Sequence, residues 1–420
     1  MITITDKSLC CGCSACATRC PKACITMVED SEGFLYPQVD ASLCIDCGLC
    51  EKVCHELHPF EERKPLQVLA ANNKDTDIRL ISSSGGIFTI LAEKTLSEGG
   101  VVFGARFDEN WQVVLDYTET TEGLDAFRGS KYVQARTASA YKDCEQFLKS
   151  GRKVLFSGTP CQIAGLKHFL RKDYDNLTTV DFVCHGTPSP KVWKKYLEEV
   201  KQKAAVQAAA GKSSDLLSLK STPVITGVNF REKSTGWKKF RFVLSLAEAS
   251  AEGKKSADLS SIDYISDSFE DNPYMKVFLR DMILRPSCYN CQAKSNRSLS
   301  DITIADFWGV QNHHPEIDDD GGTSLVMANS VKGQEALDLT KVDYVESTYE
   351  KATEGNKALY ESYNLHPHRR TFFKKLDKKR SVIKLMEQQL LPTRKERLNA
   401  RIYGYKSRIY SIVKRIINRL

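Results

Sequence analysis

Eight cysteines between positions 10 and 54 fall into two runs of one spacing: Cys10-x2-Cys13-x2-Cys16-x3-Cys20 and Cys44-x2-Cys47-x2-Cys50-x3-Cys54. Four thiols at such short intervals cannot all line one regular helix or strand. They need a wrapped loop whose backbone N–H groups point inward at the sulfurs. Thiolates so arranged hold a [4Fe–4S] cube, a one-electron carrier whose potential is tuned by hydrogen bonds to sulfur. Zinc is usually held by paired CxxC or Cys/His groups rather than by two four-cysteine runs. Disulfides belong to oxidising compartments, and the N-terminus MITITDKSLCCGC has neither the basic start nor the apolar stretch of a secretory signal. The chemistry expected is electron transfer.

The first run continues into Pro21 and so follows the bacterial ferredoxin pattern through its proline, whereas the second carries His55 there. In two-cluster ferredoxins the fourth cysteine of each run serves the other cluster. One cube would then take Cys10, Cys13, Cys16 and Cys54, and the other Cys44, Cys47, Cys50 and Cys20. The segment from Gly33 to Pro37 reads as the short β-ribbon between cluster loops. Residues 1–60 are therefore expected to form a two-cluster ferredoxin-like domain.

Beyond a linker at 61–80, strands alternate with helices. The turn Ser82–Gly86 precedes an apolar-periodic helix, Ile87–Leu96, stopped by Gly99-Gly100. Strands follow at Val101–Phe107 and Gln112–Thr118, then a helix at roughly 138–150. Two βα units come next: strand Lys153–Phe156 with helix Gln162–Leu170, and strand Thr179–Val183 with helix Lys191–Lys203. Residues 204–222 read as a surface loop, Asn229–Leu246 as a hairpin around Ser234-Thr-Gly236, and about 271–283 as a helix. Ser300–Gly309 reads as a buried strand with a polar turn. The alternation predicts a partly parallel sheet covered on both faces.

Cys161 and Cys184 each follow the C-terminal end of a predicted strand, the edge at which open α/β sheets bind ligands. With the CxxC loop of Cys288 and Cys291 they complete a ligand set for a third [4Fe–4S] cluster. A buried structural Cys161 or a redox-active CxxC pair is the competing reading. The turns Ser82–Gly86 (Ser83, Ser84, Gly85, Gly86) and Ser157–Pro160 (Gly158, Thr159, Pro160) each present N–H groups to a phosphate at a helix N-terminus, or are only turns. Lys131 and Arg128 are candidates for phosphate or flavin contact, against the alternative of solvated charges. His185 is either a proton donor or a capping side chain.

The 420 residues suffice for two or three cores, and no run of 18 apolar residues spans a bilayer. The net charge of +7 conceals an asymmetry. Residues 369–420 hold 17 Lys/Arg against three acids, which leaves the rest of the chain at −7. From Ile402 the apolar residues recur with helical period among Lys406, Arg408, Lys414, Arg415 and Arg419. Such a helix fits an anionic membrane surface, an acidic partner, or the chain's own acidic body or a second copy of it.

In order along the chain, SSSGG, RGSKYVQ, VLFSGTPCQIAGL, VCHGTPS, FREKSTGW, LRPSCYNC and SDITIADFWG resemble the coenzyme F420 hydrogenase/dehydrogenase beta-subunit family, fused behind a two-cluster ferredoxin domain. The resemblance covers about residues 1–335. It implies an FAD beside a [4Fe–4S] cluster, supports Cys161, Cys184, Cys288 and Cys291 as ligands, and brings Ser82–Gly86 and Lys131 near the flavin. The expected fold is α/β (α+β overall). It comprises the ferredoxin-like domain at 1–60, a mixed-sheet flavin and cluster domain at 61–340, and a basic helical extension at 341–420. The expected function is an iron–sulfur flavoprotein oxidoreductase. It passes electrons between clusters and FAD and on to a hydride carrier or small molecule, with His185 or Lys131 donating a proton. The expected partners are a ferredoxin, NAD(P)H or a deazaflavin, and no nucleic acid. The expected location is cytoplasmic, with contact on the inner membrane face through the tail as one of the readings of that helix. An electron-transfer subunit of a larger complex, or an accessory protein in polysaccharide assembly, are the alternatives.

Overall fold

The structure is a computed structural model that describes residues 1–209, 223–248 and 261–391. Its organising element is an eight-stranded mixed sheet. Among the described residues, thirteen strands are numbered in chain order: β1 (Ile25–Glu29), β2 (Leu35–Val39), β3 (Gln67–Asn73), β4 (Val101–Phe107), β5 (Val113–Thr118), β6 (Val154–Ser157), β7 (Leu177–Phe182), β8 (Pro223–Glu232), β9 (Arg241–Glu248), β10 (Ile262–Ser268), β11 (Ile302–Asp306), β12 (Ser324–Ala328) and β13 (Val342–Glu346). The large sheet runs β13-β3-β12-β11-β7-β6-β4-β5. Its centre, β11-β7-β6-β4, is parallel, and the flanking strands pair antiparallel. The mixed α/β class read from the sequence is the class observed.

Central strands buried on both faces are apolar throughout, as Val154, Leu155 and Phe156 of β6 are. Helix Ile87–Ser97 covers one face through Ile87, Ile90 and Leu91, which pack on Leu155 and Val180. Helices Ala140–Lys149 and Pro160–Leu170 cover the other with Tyr141, Leu148, Ile163 and Phe169 around Phe103 and Phe156. Ala15 and Val53 of the N-terminal unit belong to this same cluster, so the unit sits on the helix layer.

A second, antiparallel sheet, β10-β9-β8, packs Phe230, Phe242 and Leu244 on helix Pro190–Ala209 and on the helices Pro273–Leu279, Arg369–Leu376 and Val382–Leu390. The expected hairpin thus gains a third strand. The helix expected over 271–283 is shorter. Asn272 caps its start by accepting from the Tyr274 and Met275 amides, and it ends before Asp281, whose φ of 59° is left-handed.

Two boundaries need correction. The expected linker at 61–80 contains β3, buried from Val68 to Asn73, and helix Thr76–Ile81. A strand lying between β12 and β13 buries both faces and so shows none of the alternation that marks a half-exposed strand. The boundary at 340 cuts off β13, which pairs with β3 and belongs to the large sheet. The basic helix expected from Ile402 onward lies outside the described residues. Among the described residues no helix is long and apolar enough to cross a membrane.

Candidate functional site

The two cysteine runs fold alike. Counting from the first cysteine of each, the second and fourth following residues are left-handed: Gly12 and Ser14 (φ 73° and 64°), Asp46 and Gly48 (φ 48° and 69°). Each loop then enters a short helix, Ala15–Arg19 or Leu49–Lys52. Alternating handedness of this kind turns successive N–H groups toward a common centre, and the Asp46 amide accordingly donates to Cys44 Sγ at 3.4 Å. Cys16 has Cys13, Cys10 and Cys54 near enough to interact with it electrostatically. Cys20, Cys44, Cys47 and Cys50 line a separate small cavity. Spatially, the two groupings are the crossed ones.

The N-terminal unit is fixed to the body by buried polar contacts. The Arg285 guanidinium is buried; its Nε donates to the Cys10 carbonyl (2.7 Å), and its two Nη atoms to Gln134 Oε1 (3.0 Å) and the Leu35 carbonyl (2.8 Å). Gln134 donates in turn to the Cys11 carbonyl (2.9 Å). Arg369 makes a two-pronged pair with Glu32 (3.0 and 2.5 Å). Gly33, at φ 92°, lies so close to Lys191 that a Cβ would come within 2.3 Å of the lysine Cβ.

Cys161, Cys184, Cys288 and Cys291 come from three segments more than 100 residues apart at the extremes, yet line one cavity. Cys161 is placed by the N-terminus of helix Pro160–Leu170. There Thr159 and Gln162 form a reciprocal capping box with proline in the first turn. Cys184 lies in the turn after β7, and Cys288 and Cys291 on the turn Pro286–Asn290 and just after it. The Thr187 amide donates to Cys288 Sγ (3.3 Å), and Lys294 Nζ holds the Cys184 carbonyl (2.7 Å). Burial pushes Cys184 up to about 12, while a hydrogen bond with Cys11 draws Cys161 down to about 7. Four convergent thiols are the donor set that a [4Fe–4S] cube requires.

A larger cavity of about 580 Å³ opens at the C-terminal ends of the parallel strands. Ser83, Ser84, Gly86, Lys131, Gly158, Thr159 and His185 line it. Gly85 does not; its amide donates to Ser324 Oγ (2.9 Å), and a Cβ there would lie 2.4 Å from the Ala71 carbonyl oxygen. Pro160 faces the cysteine cavity instead. Gly86, at φ 81°, starts helix Ile87–Ser97 without a side-chain cap, which leaves the first-turn amides available to an anion. Lys131 is half-buried, donates to the Arg128 and Gly129 carbonyls (3.0 and 3.2 Å), and is pushed down to about 7 by burial. His185 Nε2 lies 2.7 Å from Asp281 Oδ1, and its ring stacks on Tyr363 (4.0 Å). Arg128 donates to Thr89 Oγ1 at 3.1 Å and also lines the cavity.

Several residues went unread in the sequence. Arg231 is buried in the cavity wall and pairs with both oxygens of Asp306 (2.8 and 3.1 Å), which also accepts from Trp237 Nε1 (2.8 Å). Both charged residues lie within FREKSTGW and SDITIADFWG, so the motifs held the signal although the pairing did not show. Asp181 sits in the cysteine-cavity wall, where burial pushes it up to about 6 against hydrogen bonds from Ser298 (2.5 Å) and Thr303 (2.6 Å). His55, fully buried, is held neutral by desolvation, down to about 3.

Two family models of the coenzyme F420 hydrogenase/dehydrogenase beta subunit match this chain: that of its N-terminal region over residues 68–142, and that of its C-terminal region over residues 151–352. Together they cover well over half of it. The chain belongs to the coenzyme F420 hydrogenase/dehydrogenase beta-subunit family. A solved structure titled as the F420-reducing [NiFe] hydrogenase complex from Methanosarcina barkeri matches at 18% identity and a TM-score of 0.40, covering 76% of this chain and 94% of that one. No protein of curated function matches. As a member of this family of oxidoreductase subunits, the chain has a redox role, and iron–sulfur clusters are characteristic of the family. The ferredoxin-like residues and those after 352 lie outside both family models.

Proposed function

We propose that this chain is an iron–sulfur flavoprotein oxidoreductase whose ferredoxin-like clusters exchange electrons, through a third cluster, with an FAD in the large cavity, and so with a hydride carrier. The observation that carries this reading is a shared wall: Phe182, Val183, Cys184, His185, Gly186 and Thr187 border both the four-cysteine cavity and the large cavity. Cys161, Cys184, Cys288 and Cys291 would hold one cube. The crossed sets of the N-terminal runs would hold the other two.

FAD, when bound, supplies the exchange between one-electron clusters and a two-electron hydride carrier. The chain's residues bind and orient it. The amides after Gly86 and the Ser83–Ser84 turn would receive the pyrophosphate, and Lys131, whose charged form burial disfavours, would gain its proton beside that anion and add positive charge there. Arg231 is neutralised by Asp306 and stacks over Phe240 (4.1 Å), so it forms a rigid wall rather than an anion site. His185, fixed by Asp281, is the side chain on the shared wall able to carry a proton.

The test is iron and flavin content of anaerobically purified protein. About twelve irons and one FAD per chain fit three cubes and the flavin. About eight irons without flavin would leave an electron carrier in place of a flavoenzyme.

A further inference from the structure

The turn Ser82–Gly86 ends in two glycines, whose peptide planes rotate at little steric cost, so the turn alone does not decide whether amides or carbonyls meet a ligand. In the fold four successive carbonyls of the turn are engaged. That of Ser83 accepts from Arg231 Nη2 (3.3 Å), and that of Ser84 from Lys233 Nζ (3.0 Å). The Gly85 carbonyl accepts from the Asn73 amide (2.7 Å), and the Gly86 carbonyl from Asn73 Nδ2 (3.3 Å). Arg231 and Lys233 stand two residues apart at the end of β8, and both are buried while Glu232 between them is not, so they reach the same side. Lys233 gives its other N–H groups to the carbonyls of Arg79, in helix Thr76–Ile81 (2.6 Å), and Gly321, in the loop before β12 (2.8 Å).

The Ser84–Gly85 peptide is held at both ends, since the Gly85 amide donates to Ser324 Oγ (2.9 Å). In the other three peptides the amides of Ser84, Gly86 and Ile87 lie trans to the held carbonyls and point away from them. Among the described residues none of these three amides has an acceptor in the chain, and all three residues line the large cavity. The uncommitted polar atoms of the four peptides are therefore donors only, the arrangement that binds an anion.

We propose that Lys233, Arg231 and Asn73 are positioning residues for the FAD diphosphate: they hold the carbonyls of the turn away from the anion and so keep its amides for it. This deepens the function proposed above and rests on FAD occupying the large cavity. None of the three need touch the flavin. Once Lys233 is replaced by an apolar side chain, the Ser84 carbonyl loses its donor and the peptide is free to turn. A carbonyl dipole that faces a diphosphate repels it.

The test is equilibrium binding of FAD, and of riboflavin, which lacks the diphosphate, to full-length flavin-depleted protein kept anaerobic. It compares the unaltered chain with Lys233→Met and Asn73→Ala. In Lys233→Met the affinity for FAD should fall about tenfold or more, while that for riboflavin stays within about twofold. Asn73→Ala frees the Gly86 carbonyl but keeps the backbone amide that holds Gly85. It should show the same selective loss at about threefold, and it carries the test alone should Lys233→Met not fold. Unchanged FAD affinity in a folded variant overturns the proposal. So does an equal loss for both ligands, the result expected if these side chains only support the fold. If the unaltered protein binds riboflavin as tightly as FAD, the turn holds no diphosphate and the proposal fails while the flavin cavity stands. If it binds neither, the flavin reading itself fails, and the positioning with it.

Discussion

The ferredoxin-like unit and the large-sheet unit both gather cysteines, by opposite means. In the first, ligand positions lie three or four residues apart, and two left-handed residues per loop suffice to aim them. In the second, Cys161 to Cys291 meet only because β6 and β7 are parallel neighbours and a distant turn reaches their C-terminal ends. A contiguous site survives on local backbone geometry; an assembled one depends on the whole sheet.

The largest effect comes from removing one thiol of the assembled set. Cys184→Ser should lose about four irons and slow electron transfer into the large cavity by about 100-fold or more. Cys47→Ser, in an exposed loop, should lose the same iron yet retain bound flavin. Iron analysis and flavin absorbance check both, and loss of flavin in Cys47→Ser would break the contrast.

Next is the joint between the units. Arg285→Met strands three acceptors that the buried guanidinium satisfies. It should destabilise the protein by about 3 kcal/mol or more, measured by denaturant unfolding, and expose the N-terminal unit to proteolysis. Smaller is Gly33→Ala, which drives a Cβ against Lys191 at φ 92° and should cost about 2–3 kcal/mol. Its control, Gly48→Ala, meets nothing within 4 Å and bears only the backbone penalty of about 1–2 kcal/mol. Equal losses in the two would mean that the joint contributes little.

A separate effect is a pH dependence in the large cavity. Burial lowers Lys131 from 10.5 to about 7, so between those values the folded chain binds fewer protons than the unfolded one. The stability of flavin-free protein therefore rises with pH across that window. Lys131→Met should flatten the rise in thermal melts taken from pH 7 to 10.

What the sequence disclosed follows the same division. The eight ferredoxin cysteines, the βα units around Ser157–Pro160 and Cys184–Pro188, and the Gly86 helix start were legible because each signal is local. β3 was missed because a strand covered on both faces carries no period. The Arg231–Asp306 pair was missed because its members lie 75 residues apart. Cys11 was passed over because its neighbours already completed a ligand pattern. His55 was noticed as a departure, but its partner, Cys11, is 44 residues away.

The grip on the N-terminal unit has a kinetic consequence. Glu32 is held by Arg369 from the far end of the chain, and the carbonyls of Cys10 and Leu35 by Arg285 from its middle. A carrier domain on a flexible tether must swing and dock before it can discharge, so solvent friction limits its turnover. A unit clamped at both places has no such excursion to make. Passage between its cofactors should then be indifferent to added glycerol or sucrose, and friction should tell only on the encounter with an outside electron donor.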